Sequence, residues 1–170
     1  MGFEALRDLP LEDVEVETPI ETCRTPMILV RSLLFVPVLR AGLGMVNGIT
    51  TLVPSARSVI LVFTVTRLLM SLMSTIVSFR ILSTSVSSLW LTPCLQLAAL
   101  LSPPLTSSNN MVEKSIKCMF VIAAPEGLKR LHEVHPDVQI YVGHLDRELN
   151  DRAYICPGLG DAGDRIFGTK

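Results

Sequence analysis

Seven consecutive apolar residues, Leu33-Leu34-Phe35-Val36-Pro37-Val38-Leu39, run straight into Arg40-Ala41-Gly42-Leu43-Gly44. A strand with two apolar faces must be covered on both, which is the environment of a central strand in a parallel sheet. The glycine turn leads into a helical stretch from Met45 to about Leu52. Strand, glycine turn and helix together present backbone amides and a helix N-terminus to an anion. Arg40 stands at the carboxyl end of the strand, where open α/β sheets bind ligands. Spacing alone also fits an ordinary strand-to-helix turn with a solvated arginine.

The second half repeats the arrangement. Lys117 to Ala124 is another buried-strand pattern, followed by Pro125-Glu126-Gly127 and a short helix through Leu128, Leu131 and Val134. His135-Pro136-Asp137 stops that helix, and Val138-Gln139-Ile140-Tyr141-Val142 forms the next strand. A strand–helix–strand unit implies a parallel sheet with a right-handed crossover. The expected class is therefore α/β, a parallel sheet flanked by helices, and 170 residues suit a single domain spanning 1–170. Near the start, Leu11 to Thr18 alternates apolar and acidic side chains, the pattern of a half-buried strand ending at Pro19. His132 and His135 lie three apart at the end of that helix and could share a metal, but no third ligand is evident, and exposed helix-end histidines are the simpler reading.

Charge and cysteine usage narrow the classes further. Fifteen basic and 16 acidic residues give a net charge of -1, so no whole-chain field draws in nucleic acid or an anionic membrane. Cys23, Cys94, Cys118 and Cys156 have no metal-ligand spacing. With no leader pattern at Met1, they read as reduced thiols of a cytoplasmic protein.

These averages conceal a break. From Ser58 to Met111 there is no acidic residue, and Arg67 and Arg80 are the only basic ones. Residues 81–101 carry no charge at all, which meets the length criterion for a membrane helix. Five serines and threonines before Trp90, and then Pro93, make it a poor one. Its apolar residues follow neither a helical nor a strand period.

The C-terminal stretch, Tyr154-Ile155-Cys156-Pro157-Gly158-Leu159-Gly160-Asp161-Ala162-Gly163-Asp164-Arg165-Ile166-Phe167-Gly168-Thr169-Lys170, is the most informative. Four glycines and two aspartates between Gly158 and Gly168 cannot pack a core, so a loop of specified backbone geometry is expected. Its bare amides and carbonyls can match the donors and acceptors of a flat polar ring. A calcium loop fails, because the carboxylates lack EF-hand spacing and no glutamate closes the loop. A Gly/Asp-rich surface turn remains open.

Four segments carry a resemblance: Pro37 to Met45, Val53 to Arg57, Ala123 to Gly127 and the C-terminal stretch. Together with the opening Glu-Ala-Leu-Arg-Asp-Leu-Pro and Glu-Val-Glu-Thr-Pro-Ile, they resemble the uracil phosphoribosyltransferase family in collinear order over about two-thirds of the chain. Two family features are missing. One is an N-terminal helical portion ahead of Met1. The other is the Asp-Pro-Met-Leu-Ala-Thr-Gly-Gly-Ser loop that grips phosphoribosyl diphosphate, due between Arg57 and Val112.

The genetic code accounts for the second absence. Back-translated from Ser58 with one G in front and read in the shifted frame, the chain permits DPMLATGGS unbroken across Thr92 to Leu100. The same frame permits a YRD element at the codons of Phe63 to Val65, where the family carries a second substrate-binding arginine. It also permits DLLKQHG beyond Ser102, before the frame recovers near Met111. Residues 58–111 are therefore expected to be an aberrant, frameshifted segment that disrupts the centre of the fold, the other reading being a family-specific insertion of apolar sequence.

The resemblance implies a phosphoribosyltransferase-like fold and a pyrimidine-salvage reaction, UMP and diphosphate from uracil and 5-phosphoribosyl 1-diphosphate. By the same resemblance Arg40 would contact the phosphoribosyl diphosphate. Ile155, Gly160, Asp161 and Ala162 would bind uracil, with Asp161 also reaching the second substrate as the catalytic residue. Magnesium would arrive with the diphosphate, and the subunits would form a homo-oligomer. The phosphate-binding Thr-Gly-Gly turn falls on Leu97, Ala98 and Ala99, and the aspartate opening its loop on Thr92. The chain as written is then either an inactivated transferase or a remnant that associates with intact subunits. A small membrane protein spanning at 81–101 is the alternative from another class.

Overall fold

The computed structural model describes residues 1–28, 33–60, 63–64, 73–74, 86–95 and 113–169. A short helix α1 (Gly2–Leu6) precedes two strands, β1 (Leu11–Glu17) and β2 (Thr22–Ile28). Then come β3 (Leu33–Pro37), α2 (Leu43–Thr50), β4 (Arg57–Ser58), and the two-residue strands β5 (Phe63–Thr64) and β6 (Met73–Ser74). The centre supplies β7 (Val86–Leu91) and β8 (Cys94–Leu95). The last third supplies β9 (Glu113–Ala123), α3 (Pro125–Val134), β10 (Gln139–Leu145), β11 (Glu148–Leu149), β12 (Ile155–Cys156) and α4 (Ala162–Phe167).

The main sheet has the order β10-β9-β7-β3-β4, every pair parallel, with β8 also parallel to β9. The three strands expected from the apolar runs are thus members of one sheet. Register aligns Val36 with Trp90, Trp90 with Cys118, and Cys118 with Ile140 across four neighbouring strands. Alternation along these strands builds two cores. Leu34, Val36, Trp90, Cys118 and Phe120 pack with Leu131 of α3 on one face. Leu33, Phe35, Leu89, Leu91 and Met119 pack with Ala5 of α1 and Ile49 of α2 on the other.

The central strand β7 carries the sequence Val-Ser-Ser-Leu-Trp-Leu, from within the compositional break. It forms because Leu89 and Leu91 serve one face while Trp90 serves the other, all at most 2 % exposed. The Trp90 indole N–H donates to Ser88 Oγ at 3.0 Å, so the buried nitrogen keeps a partner. Among the described residues no helix is long and apolar enough to cross a membrane. Residues 86–91 of the uncharged run lie instead in the sheet.

Three local expectations need correction. The β1 strand forms but is not half-buried: it pairs only with β2, and Leu11 and Val14 are 61 % and 39 % exposed. Alternation supplies two chemically different faces, yet of the hairpin's apolar residues Ile28, at the end of β2, packs against the core while Leu11 and Val14 stay exposed. The helix after β9 begins at Pro125 rather than beyond Gly127, since proline's fixed φ and missing N–H suit a first helical position. His132 is exposed, but His135 is 4 % exposed, so the two do not form an exposed pair. Most of 58–111 lies outside the described residues, including Leu97, Ala98 and Ala99.

Candidate functional site

The cleft is assembled at the carboxyl ends of the strands. Arg40 follows β3 through a cis Leu39–Arg40 peptide. Val38 N donates to Leu91 O at 2.9 Å, which ties that exit to the end of β7. From the other end of the chain, β11 and β12 form an antiparallel pair, Leu149 opposite Ile155, and a cis Cys156–Pro157 bond begins the glycine-rich segment.

That segment is not all loop. Residues Ala162–Phe167 form α4 because both ends are capped. Asp161 is the N-cap, its carboxylate accepting the Asp164 amide at 2.9 Å. Gly168 closes the helix in the left-handed conformation, and its amide returns to Asp164 O. Asp164 in the first turn and Arg165 in the last complement the helix dipole.

Arg40 reaches this helix. Its Nη2 donates to Asp164 Oδ1 at 2.6 Å and lies 3.6 Å from Asp161 Oδ1, while Nη1 donates to Thr169 Oγ1 at 3.0 Å. The Thr169 hydroxyl donates in turn to Asp164 Oδ1 at 2.6 Å. Gly163 makes the approach possible: a Cβ there would stand 2.7 Å from Arg40 Nε and 2.9 Å from Nη2. The Phe167 ring lies 5.9 Å from the guanidinium carbon. Cys94, which opens β8, feels the Asp161 carboxylate. Burial first, then the negative charge of Asp161, pushes its thiol up to about 11.

Beside this cluster is an open cleft of about 480 Å³, lined by Tyr154, Leu159, Gly160, Asp161, Asp164 and Arg165. Arg165 Nε donates to Leu159 O and holds one wall. Of the residues singled out in the sequence, Arg40 and Asp161 are brought together, and Gly160 lines the cleft with Asp161. Ile155 and Ala162 are buried beside it, 3 % and 8 % exposed, so what they offer a ligand is backbone. Asp164, Thr169 and Gly163 were not anticipated. The one signal for Asp164 was its position three residues after a capping aspartate.

Among the described residues no group of three or more His, Cys, Asp or Glu side chains is arranged to hold a metal. A magnesium ion carried on a diphosphate needs only one or two carboxylates besides phosphate and water oxygens. The half-exposed Asp161 carboxylate, at 49 %, fits that lesser requirement.

A family model described as "Uracil phosphoribosyltransferase" matches residues 1–75 and 105–169. The chain belongs to the uracil phosphoribosyltransferase family. Named uracil phosphoribosyltransferases from Bacillus thuringiensis (strain Al Hakam) and Staphylococcus aureus (strain Newman) are 44 % and 43 % identical to it. Each alignment covers 100 % of this chain and 81 % of the relative. The solved structure of the AQ2163 protein from Aquifex aeolicus superposes with a TM-score of 0.89 at 35 % identity, covering 99 % of this chain and 81 % of that one. Residues 76–104, which the uracil phosphoribosyltransferase model does not match, lie inside the segment without acidic residues.

Proposed function

We propose that this chain carries the site of a cytoplasmic uracil phosphoribosyltransferase of pyrimidine salvage. The reaction joins N1 of uracil to C1 of 5-phosphoribosyl 1-diphosphate, releases diphosphate and yields UMP. The observation that carries the reading is the meeting of Arg40 and Asp161, 3.6 Å apart, at the carboxyl ends of parallel strands.

Breaking the bond from ribose C1 to diphosphate passes through a cation-like state. Catalysis then rests on neutralising the leaving group and holding the base close. Arg40 would supply positive charge to the diphosphate, and Asp161 negative charge beside the developing ribose cation. Backbone groups at Ile155, Gly160 and Ala162, with Asp161, would hold the flat edge of uracil. Asp161 is also the residue to hold a magnesium ion arriving with the diphosphate, whose charge would offset that of the leaving group. Association of subunits into a homo-oligomer belongs to the same reading.

The chain as written keeps the base half of this site and alters the phosphoribosyl half. Leu97-Ala98-Ala99 stands where the Thr-Gly-Gly turn would offer bare amides to the 5′-phosphate, and Thr92 replaces the aspartate that opens that loop. An anion nest works through bare backbone, which glycine leaves open and alanine or leucine does not. A remnant that binds uracil without turning it over is the second reading, favoured by the interruption of the family match at 76–104. Titrating uracil and phosphoribosyl diphosphate separately tests it. Uracil binding with no phosphoribosyl diphosphate binding is expected, and the absence of uracil binding would contradict the site.

A further inference from the structure

One buried carboxylate has no part in the reading above. Asp146, immediately after β10, is 8 % exposed. Its amide donates to Ala123 O at 2.8 Å, which fixes it to the carboxyl end of β9. Its Oδ2 accepts the Gly158 amide at 3.1 Å. Its Oδ1 lies 3.4 Å from Nε2 of His144, an imidazole 72 % exposed. A carboxylate so far removed from water persists only with partners, and the inward partner here is a loop amide.

Gly158 has φ +55°, and a Cβ there would stand 2.0 Å from Ile155 O. Two residues later come Gly160, Asp161 and Ala162. Arg165 Nε holds this loop at Leu159 O and the Asp161 cap holds its end, but Gly158 and Gly160 bring no side chains to fix the stretch before them. The ladder of β9 and β10 is complete through His144–Ile122 and Leu145–Ala123 without the Asp146 side chain. The carboxylate therefore holds the loop rather than the sheet.

The geometry points to Asp146 as a positioning residue for the planar imide ring. By accepting the Gly158 N–H, it fixes the backbone at 158–162, whose amides and carbonyls read the donors and acceptors of the ring. This rests on the base site proposed above. A flat ligand recognised by backbone alone needs those groups held in one plane, and misplacement by about 1 Å is enough to spoil such a site.

The test compares the full chain with Asp146→Ala and Asp146→Asn, following amide exchange at 156–162 and uracil affinity by calorimetry. Amides of β9 serve as the internal reference. In Asp146→Ala, exchange at Gly158 should accelerate about tenfold and uracil affinity should fall about tenfold, with β9 unchanged. Asp146→Asn keeps an acceptor oxygen and should stay within about threefold of the wild type in both. Unchanged exchange in Asp146→Ala, faster exchange with unchanged uracil affinity, or an Asn variant as impaired as Ala would each overturn the assignment. If the Ala variant does not fold, the wild type still decides, because a Gly158 amide exchanging at the unprotected rate excludes the contact. Wild type that protects Gly158 but binds no uracil would contradict the base site and leave the loop contact standing.

Discussion

Arg40 Nη2 donates to Asp164 Oδ1 at 2.6 Å, and this bond joins the exit of strand β3 to helix α4. The arginine expected to meet a diphosphate is thus held in place by a carboxylate that also lines the cleft. In the frame-restored chain, replacing Arg40 with Gln should weaken phosphoribosyl diphosphate binding by about 2 kcal/mol, roughly thirtyfold, the usual worth of a charge-assisted contact. Asp164→Asn should lower global stability by at most about 1 kcal/mol, because the arginine is 44 % exposed and water screens the pair. Calorimetric titration with phosphoribosyl diphosphate and chemical denaturation separate the two effects.

Trp90 is the only tryptophan, and at 2 % exposure it sits in the central strand of the segment with no acidic residue. Its fluorescence should be that of a buried indole and shift to the red on unfolding. Trp90→Ala should cost about 3–5 kcal/mol, the range for deleting a large core aromatic. Urea denaturation measures this directly. A cost below about 1 kcal/mol would mean that β7 is not packed in the sheet.

In the neighbouring strand β9, Lys117 stands opposite Leu89, is 4 % exposed, and donates from Nζ to Ala5 O at 2.8 Å and to the Asp8 carboxylate. The hydrogen bond from Lys117 is the main cause that lowers the Asp8 carboxyl below its ordinary 3.8. A depressed carboxyl contributes stability that is fully present above its unfolded value and is lost as pH falls through the folded one. The contribution should therefore disappear as pH drops below 3.8. Asp8→Asn should flatten that acid limb of the stability profile while leaving its shape near neutrality unchanged.

Cys94 and Cys118 have thiols pushed up to about 11 and about 12, by burial in both cases and by Asp161 as well for Cys94. Thiolate, the reacting form, is then scarce at pH 8. Timed alkylation read by peptide mass spectrometry should label Cys23 and Cys156 before either of them.

Much of the sheet was legible because β3 and most of β9 are apolar on both faces, which only a covered strand tolerates, and because β10 closes a strand–helix–strand unit. The exposed hairpin was not, because Val14 and Val16 show which face is apolar without showing whether anything covers it. Helix α4 was hidden by its glycines. Its stability comes from caps at Asp161 and Gly168, which composition reads as turn chemistry. Arg40 and Asp161 stood out because each follows a strand and each matches a family motif. Asp164 and Asp146 did not, since their roles depend on Arg40 and Gly158, partners that adjacency in sequence does not supply.

Formation of UMP from uracil and phosphoribosyl diphosphate with magnesium, measured for this chain and for its frame-restored counterpart, tests the account most directly. Removing one preorganised donor typically costs about 3 kcal/mol of barrier, and here a whole phosphate loop is replaced. The chain as written should give no measurable UMP, whereas the chain carrying DPMLATGGS across positions 92–100 should regain at least substrate binding. Turnover by the chain as written would contradict the frameshift and mean that the apolar segment builds a phosphate site of its own.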